Sequence, residues 1–168
     1  DLYDDFIRDY FSSAIPSTIC EAKPSARIPL IPLVIFPHHW KMLDSNISLY
    51  STNARTQLSC LGLYRRYDYL RSDYGGEWFT LLSEDGKVLG ISSAAHKGDK
   101  KYEVDGFCHP KYEDFFSPLI QTAVKWCVSR EASEIIFNVS KEDTDKENLI
   151  RELAKAWNLK KLIEVISS

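Results

Sequence analysis

The sequence predicts one α/β domain built on a mixed sheet, and three observations predict it. Residues 78–108 read as three short strands divided by polar turns that carry glycine. Residues 117–166 then alternate helix, strand, helix and strand, the order that lays parallel strands beside a meander with helices on its faces. The chain is 44% hydrophobic and 27% charged, so its 168 residues suffice for one packed core and are short for two.

The elements follow in order. Leu2, Phe6, Ile7, Tyr10, Phe11 and Ala14 recur at helical spacing with Asp4, Asp5, Arg8 and Asp9 between them, an amphipathic helix ended by Pro16. Five of the seven prolines fall between Pro16 and Pro37, which predicts looped or extended chain with no long helix and no central strand. That stretch is nonetheless apolar from Ile28 to Phe36. It is expected to lie against this domain's own core, the alternative being a seat on a second chain or a neighbouring domain. Leu58, Leu61, Tyr64 and Tyr67 favour a helix over 58–70, although tyrosines also suit a strand. After Gly75-Gly76 come strand Trp78–Ser83, the hairpin turn Glu84-Asp85-Gly86, strand Lys87–Ala95, a second turn holding Gly98, and strand Tyr102–Cys108. Ser117 as N-cap with Pro118 in the first helical position opens a helix to about Arg130. Ile135–Val139 reads as a strand covered on both faces, Glu147–Trp157 as an amphipathic helix, and Lys160–Ile166 as a last strand. The expected organisation is a single domain, 1–168, with a helical or irregular part (1–77) and a sheet-and-helix core (78–168).

Charge and cysteine usage narrow the function. With 21 basic and 24 acidic residues the net charge is −3, which argues against nucleic acid as a partner. The longest apolar run is too short and too proline-rich to span a bilayer, and nothing resembles a signal peptide. Cys20, Cys60, Cys108 and Cys127 are scattered without a CxxC pair, so neither a disulfide framework nor a zinc ribbon is expected. The chain reads as cytoplasmic.

One local sequence points further. Val104-Asp105-Gly106-Phe107-Cys108-His109-Pro110-Lys111-Tyr112 is a hydrophobic strand running into a His-Pro-x-Tyr turn, and Leu119-Ile120-Gln121-Thr122-Ala123-Val124-Lys125-Trp126 is the helix after it. Together with the meander before and the alternation after, residues 78–160 resemble the GNAT-type (acyl-CoA-dependent) N-acetyltransferases. The resemblance implies a fourth strand splayed from the fifth with acetyl-CoA or another acyl-CoA in the gap. The cofactor would lie on the backbone of Gly106, Phe107 and Cys108, with Phe116 and Ser117 at the phosphate contact. It also implies a carboxylate base on the fourth strand, Glu103 or Asp105, which alternation puts on one face. The acceptor would be a small-molecule or peptide amine.

This chain departs from the family's pattern in two places. The family seats the pyrophosphate on a loop of the type Arg/Gln-x-x-Gly-x-Gly/Ala at a helix N-terminus, where close backbone and the helix dipole favour anions. Here Lys111-Tyr112-Glu113-Asp114-Phe115-Phe116-Ser117-Pro118 has no glycine, and Pro118 removes an N–H donor. Glu113 and Asp114 would each repel a close phosphate by roughly 1 kcal/mol, unless they face water while Ser117-Pro118 simply caps a helix. The family's general-acid tyrosine, four residues before a closing Gly-Phe, falls on Ala154, because the closing pair is Asn158-Leu159.

Two functions are therefore expected from the sequence. The first is a divergent N-acyltransferase. The second is a non-catalytic module, a pseudoenzyme, that uses the splayed sheet for a protein or peptide partner or a homodimer, with Phe115, Phe116 and the 28–36 segment as anchors. Other constellations carry less. His38-His39 lack a carboxylate or cysteine at helical spacing for a metal site, so no metal is expected. Arg65-Arg66 among Tyr64, Tyr67 and Tyr69 reads as a snorkelling surface, and Cys108 and His109, as strand neighbours, point to opposite faces.

Overall fold

The sheet is organised by glycines that permit its turns. Gly86 (φ 83°) and Gly98 (φ 89°) occupy left-handed backbone at the two hairpin bends, a conformation costly for most other residues. The computed structural model of the chain describes residues 2–35, 44–47, 60–139, 143–156 and 163–167. Its elements are helix α1 (Leu2–Ser12), strand β1 (Pro16–Glu21), helix α2 (Leu30–Ile35), helix α3 (Cys60–Ser72), and strands β2 (Glu77–Ser83), β3 (Val88–His96) and β4 (Lys101–Cys108). Helix α4 (Phe116–Ser129), strand β5 (Glu134–Val139), helix α5 (Thr144–Ala156) and strand β6 (Ile163–Ser167) follow. The six strands lie in the order β1-β2-β3-β4-β5-β6, antiparallel from β1 to β4 and parallel from β4 to β6. A meander followed by β-α-β-α-β is the architecture the sequence predicts.

Helices cover both faces. On one, the Tyr67 ring of α3 stacks on Trp78 at 4.9 Å, Tyr64 meets the same indole edge-on, and Leu30 and Leu33 of α2 are fully buried. The Arg65-Arg66 group thus turns its central tyrosine into the core, while Arg65 rests on Tyr69 and Arg66 donates to the Ile47 carbonyl. On the other face α4 packs onto β2, β3 and β4. Its closeness depends on Gly90 and Gly106: a Cβ on Gly90 would lie 2.7 Å from Leu119 Cδ1, and one on Gly106 3.2 Å from Ile120 Cδ1. No described helix is long and apolar enough to cross a membrane.

Three expectations need correction. The proline-rich stretch contributes a strand, β1, and a short helix, α2, so the sheet is not confined to residues 78–168. Both are compatible with proline. Pro16 is the first residue of an edge strand, and Pro32 lies in the first turn of α2, where the N–H has no helical partner to lose. The helix after β4 begins at Phe116 without a side-chain cap. The proline that opens a helix is Pro110, which starts a 3₁₀ turn over Pro110–Phe115 capped by His109. Strand β5 alternates, with Ile135, Phe137 and Val139 buried and Ile136 and Asn138 half-buried, so only one face is fully covered. Of the 28–36 segment, Leu30 and Leu33 do pack in the core, whereas Phe36 lies outside the described residues.

The His-Pro-x-Tyr turn has a structural task. The Tyr112 hydroxyl bonds the carbonyls of Phe11 (2.7 Å) and Ala14 (2.8 Å), Lys111 reaches the Ser12 carbonyl, and Lys87 reaches that of Tyr10 (2.6 Å). Donors 77 to 101 residues further along the chain thereby satisfy the last carbonyls of α1, where cations also suit the helix dipole.

Candidate functional site

Strands β4 and β5 part company early. Their parallel pairing covers Lys101↔Glu134, Tyr102↔Ile135 and Glu103↔Ile136, yet β4 continues to Cys108 and β5 to Val139. Beyond Glu103 the edge of β4 faces a gap. Backbone parity shows which amides look into it. His109 N–H donates to the Leu89 carbonyl on β3, so alternate residues Phe107, Asp105 and Glu103 direct their amides to β3 and Gly106 directs its own toward the gap.

Glu103 and Asp105 lie on the same buried face of β4, as alternation predicts. Glu103 stands where the strands diverge. Its carboxylate lies 3.6 Å from Lys97 Nζ and accepts from the Asn138 side chain of β5, and burial outweighs both partners to raise its pKa. Asp105 is fully engaged: Oδ1 takes the Gly106 N–H (2.8 Å) and Lys146 Nζ (2.5 Å), while Oδ2 takes the Ser45 N–H (2.8 Å) and hydroxyl (3.1 Å).

Behind these two stands Asp44, fully buried. Its Oδ2 accepts from Tyr67 (2.8 Å) and Ser93 (2.9 Å) and its Oδ1 from the Asn46 N–H (2.9 Å). Asn46 Nδ2 bonds Ser93 Oγ and the Glu103 carbonyl, so the short segment 44–47 clamps β3 to β4. Burial, reinforced by Asp105, raises the Asp44 carboxyl from 3.8 to about 7 against the opposing bonds from Tyr67 and Asn46 and the charge of Lys146. Asp143, before α5, is pushed up to about 6, again chiefly by burial.

The sign of the Asp44 effect can be tested. Between pH 4 and 7 the folded chain keeps a proton on Asp44 that the unfolded chain has released, so this group's stabilisation is lost as pH rises toward 7. Buried His109, held down at about 4, acts oppositely below pH 6.5. An Asp44→Asn variant keeps His109 and removes only the Asp44 titration. The melting temperature of the wild type relative to this variant should fall between pH 5 and 7.5 and stay level above pH 8. A constant difference would remove Asp44 from the pH response.

The cofactor residues proposed from sequence are distributed unevenly. Gly106 borders the gap, but its N–H is already taken by Asp105. Phe107 and Cys108 are buried in the core, with Cys108 Sγ donating to the Tyr112 carbonyl (3.1 Å). Phe116 is buried and Ser117 half-buried in the first turn of α4, while Glu113, Asp114 and Phe115 face solvent. Ala154 is half-buried on α5 and brings no hydroxyl. His109 Nδ1 accepts the Lys111 N–H. His38 and His39 lie outside the described residues, and no group of three or more His, Cys, Asp or Glu among the described residues is placed to hold a metal. Cys20, Cys108 and Cys127 are free thiols, with Cys127 pushed up to about 12 by burial.

Sequence reasoning did not pick out Asp44, Asn46 or Lys146. For Lys146 a signal exists. It shares a helical stripe with Ile150 and Leu153, and a lysine on an apolar stripe needs a buried partner. Asp44-Ser45-Asn46 looks like any turn-forming run, and nothing in the chain's order ties it to β4.

No family model matches the chain, and no curated protein does. Solved structures do. An acetyltransferase from Streptococcus agalactiae matches with a TM-score of 0.60 and 15% identity over 80% of either chain. A mutant form of the spermidine N-acetyltransferase SpeG from Vibrio cholerae matches with a TM-score of 0.58 and 14% identity, covering 81% of this chain and 77% of that one. A GNAT-family acetyltransferase from Staphylococcus aureus matches with a TM-score of 0.57 and 11% identity over 80% of each. With the early parting of β4 and β5 and this strand order, the chain has the fold of the GNAT-family acetyltransferases.

Proposed function

We propose that the chain is a divergent acyl-CoA-dependent N-acyltransferase that transfers an acetyl or similar group to an amine. The observation that carries this reading is the unpaired gap between β4 and β5 with a buried carboxylate, Glu103, where it opens. Beyond Glu103 the edge of β4 has no pairing with β5, which leaves room along that edge for another occupant. An amide-bearing pantetheine arm is one such occupant. Glu103, its pKa raised by burial, is the residue we assign as general base, since a carboxyl moved toward neutrality accepts a proton from an ammonium more readily. Asp105, with both oxygens already bonded, serves better as an anchor for the strand.

A second reading rests on a specific observation. The gap-facing Gly106 N–H is already occupied by Asp105, and the turn before α4 offers exposed carboxylates in place of glycine. These favour a non-catalytic module that keeps the fold for a protein or peptide partner. Calorimetric titration with acetyl-CoA separates the two. Micromolar affinity supports the transferase. A Kd weaker than about 1 mM, equivalent to roughly −4 kcal/mol, supports the module.

A further inference from the structure

Lys146 occupies an unusual place for a lysine. It lies in the first turn of α5, directly after β5, and is 3% exposed. Its ammonium crosses to β4 and meets Asp105 Oδ1 at 2.5 Å, and that same oxygen holds the Gly106 N–H. The ion pair therefore sits on the edge of β4 that β5 has left, two residues beyond the last strand pair. A second link, Asn138 to Glu103, lies nearer the point of divergence. Side chains of β5 and of α5 thus reach β4 where backbone pairing has stopped. Both ionic partners are buried, so no water screens the attraction and neither charge can leave without being replaced.

We infer that Lys146 is the latch of this gap: its pairing with Asp105 ties β4 to α5, the helix that follows β5, and it must be displaced before an acyl-CoA arm can lie against Gly106. The inference rests on the acyl-CoA reading for its ligand but not for its mechanics. Asp105 Oδ1 serves two donors, the Gly106 N–H and Lys146, while Oδ2 is held by the Ser45 N–H and hydroxyl. A ligand carbonyl that takes the Gly106 N–H has to displace Asp105 Oδ1, and that oxygen is held in place by Lys146 while Ser45 anchors the other. Opening the latch is then a cost subtracted from cofactor affinity, and removing the lysine charge relieves it.

The test uses Lys146→Met, which keeps the aliphatic stem, with Lys146→Gln in reserve if burial of an unpaired Asp105 unfolds the first, and Lys146→Arg to retain the charge. Two readouts are taken, amide exchange at Gly106 and calorimetric titration with acetyl-CoA. The neutral variants should exchange Gly106 at least tenfold faster and bind acetyl-CoA at least tenfold tighter than the wild type, with Lys146→Arg close to the wild type in both. Unchanged exchange at Gly106 in a folded neutral variant overturns the latch, whatever happens to the cofactor. Faster exchange with measurable but unaltered acetyl-CoA affinity overturns its role in access. Faster exchange with no binding by any form sinks the acyl-CoA reading and leaves the latch as a tie between β4 and α5.

Discussion

Replacing Glu103 by Gln is expected to lower the rate of acyl transfer from acetyl-CoA to a primary amine by about 10²- to 10⁴-fold, with the fold intact. The substitution is nearly isosteric and still offers Lys97 and Asn138 an oxygen to donate to, so the network around β4 survives. What disappears is the ability to accept a proton. Because burial raises the Glu103 pKa, the wild-type rate should decline as acid protonates this carboxylate, and the variant should lose that limb of its pH profile. Retention of the wild-type rate and pH profile would remove Glu103 from the mechanism. Asp105 is not a ready substitute, since using it as a base would break its bond to Lys146.

The second large effect concerns stability. Leu33 is fully buried on α2, a helix packed against α3 and β3. Truncating such a leucine costs about 2–5 kcal/mol, a substantial share of the roughly 5–15 kcal/mol that holds a domain together. Leu33→Ala should therefore lower the melting temperature by on the order of 5–20 °C. Leu33→Asp, which adds an unpaired buried charge, should leave little folded chain. The result that overturns this is a monomer of unchanged melting temperature that has lost only a dimer or a partner, because the segment would then cover another surface and not its own core.

The contrast between the two halves explains how much the sequence revealed. From Gly75 onward local signals agree with one another. Gly86 and Gly98 bend where hairpins bend, and apolar residues switch from a period of two to a helical one after Pro118. In residues 16–37 proline spoke louder than pattern. Its exclusion from helices and sheets is positional, and β1 at the sheet edge and the first turn of α2 are the positions where it is tolerated. The candidate site divides similarly. Glu103 and Asp105 were visible because strand alternation is a local rule. Asp44 and Lys146 reach Asp105's surroundings from elements about 60 residues before and 40 after, and only the folded chain brings them together. The cap at His109 was hidden for another reason. A histidine before a proline signals a turn, whereas its Nδ1 as the acceptor for Lys111 depends on a rotamer set by packing against Phe11.

The tether between Tyr112 and the end of α1 also sets a timetable for synthesis. Helix α1 leaves the ribosome well before its tether, because the hydroxyl that bonds the Phe11 carbonyl lies 101 residues later. At about 5–20 residues per second that interval is roughly 5–20 s, during which α1 has its amphipathic stripe but not the turn that ties its end. Phe11 is 1% exposed once folding ends, yet until β4 and the turn after it have emerged it remains available to any other apolar surface. Helix α1 is thus secured only well after it is made, and a change that delays or hinders its docking should lower the yield of folded protein without touching any residue of the site.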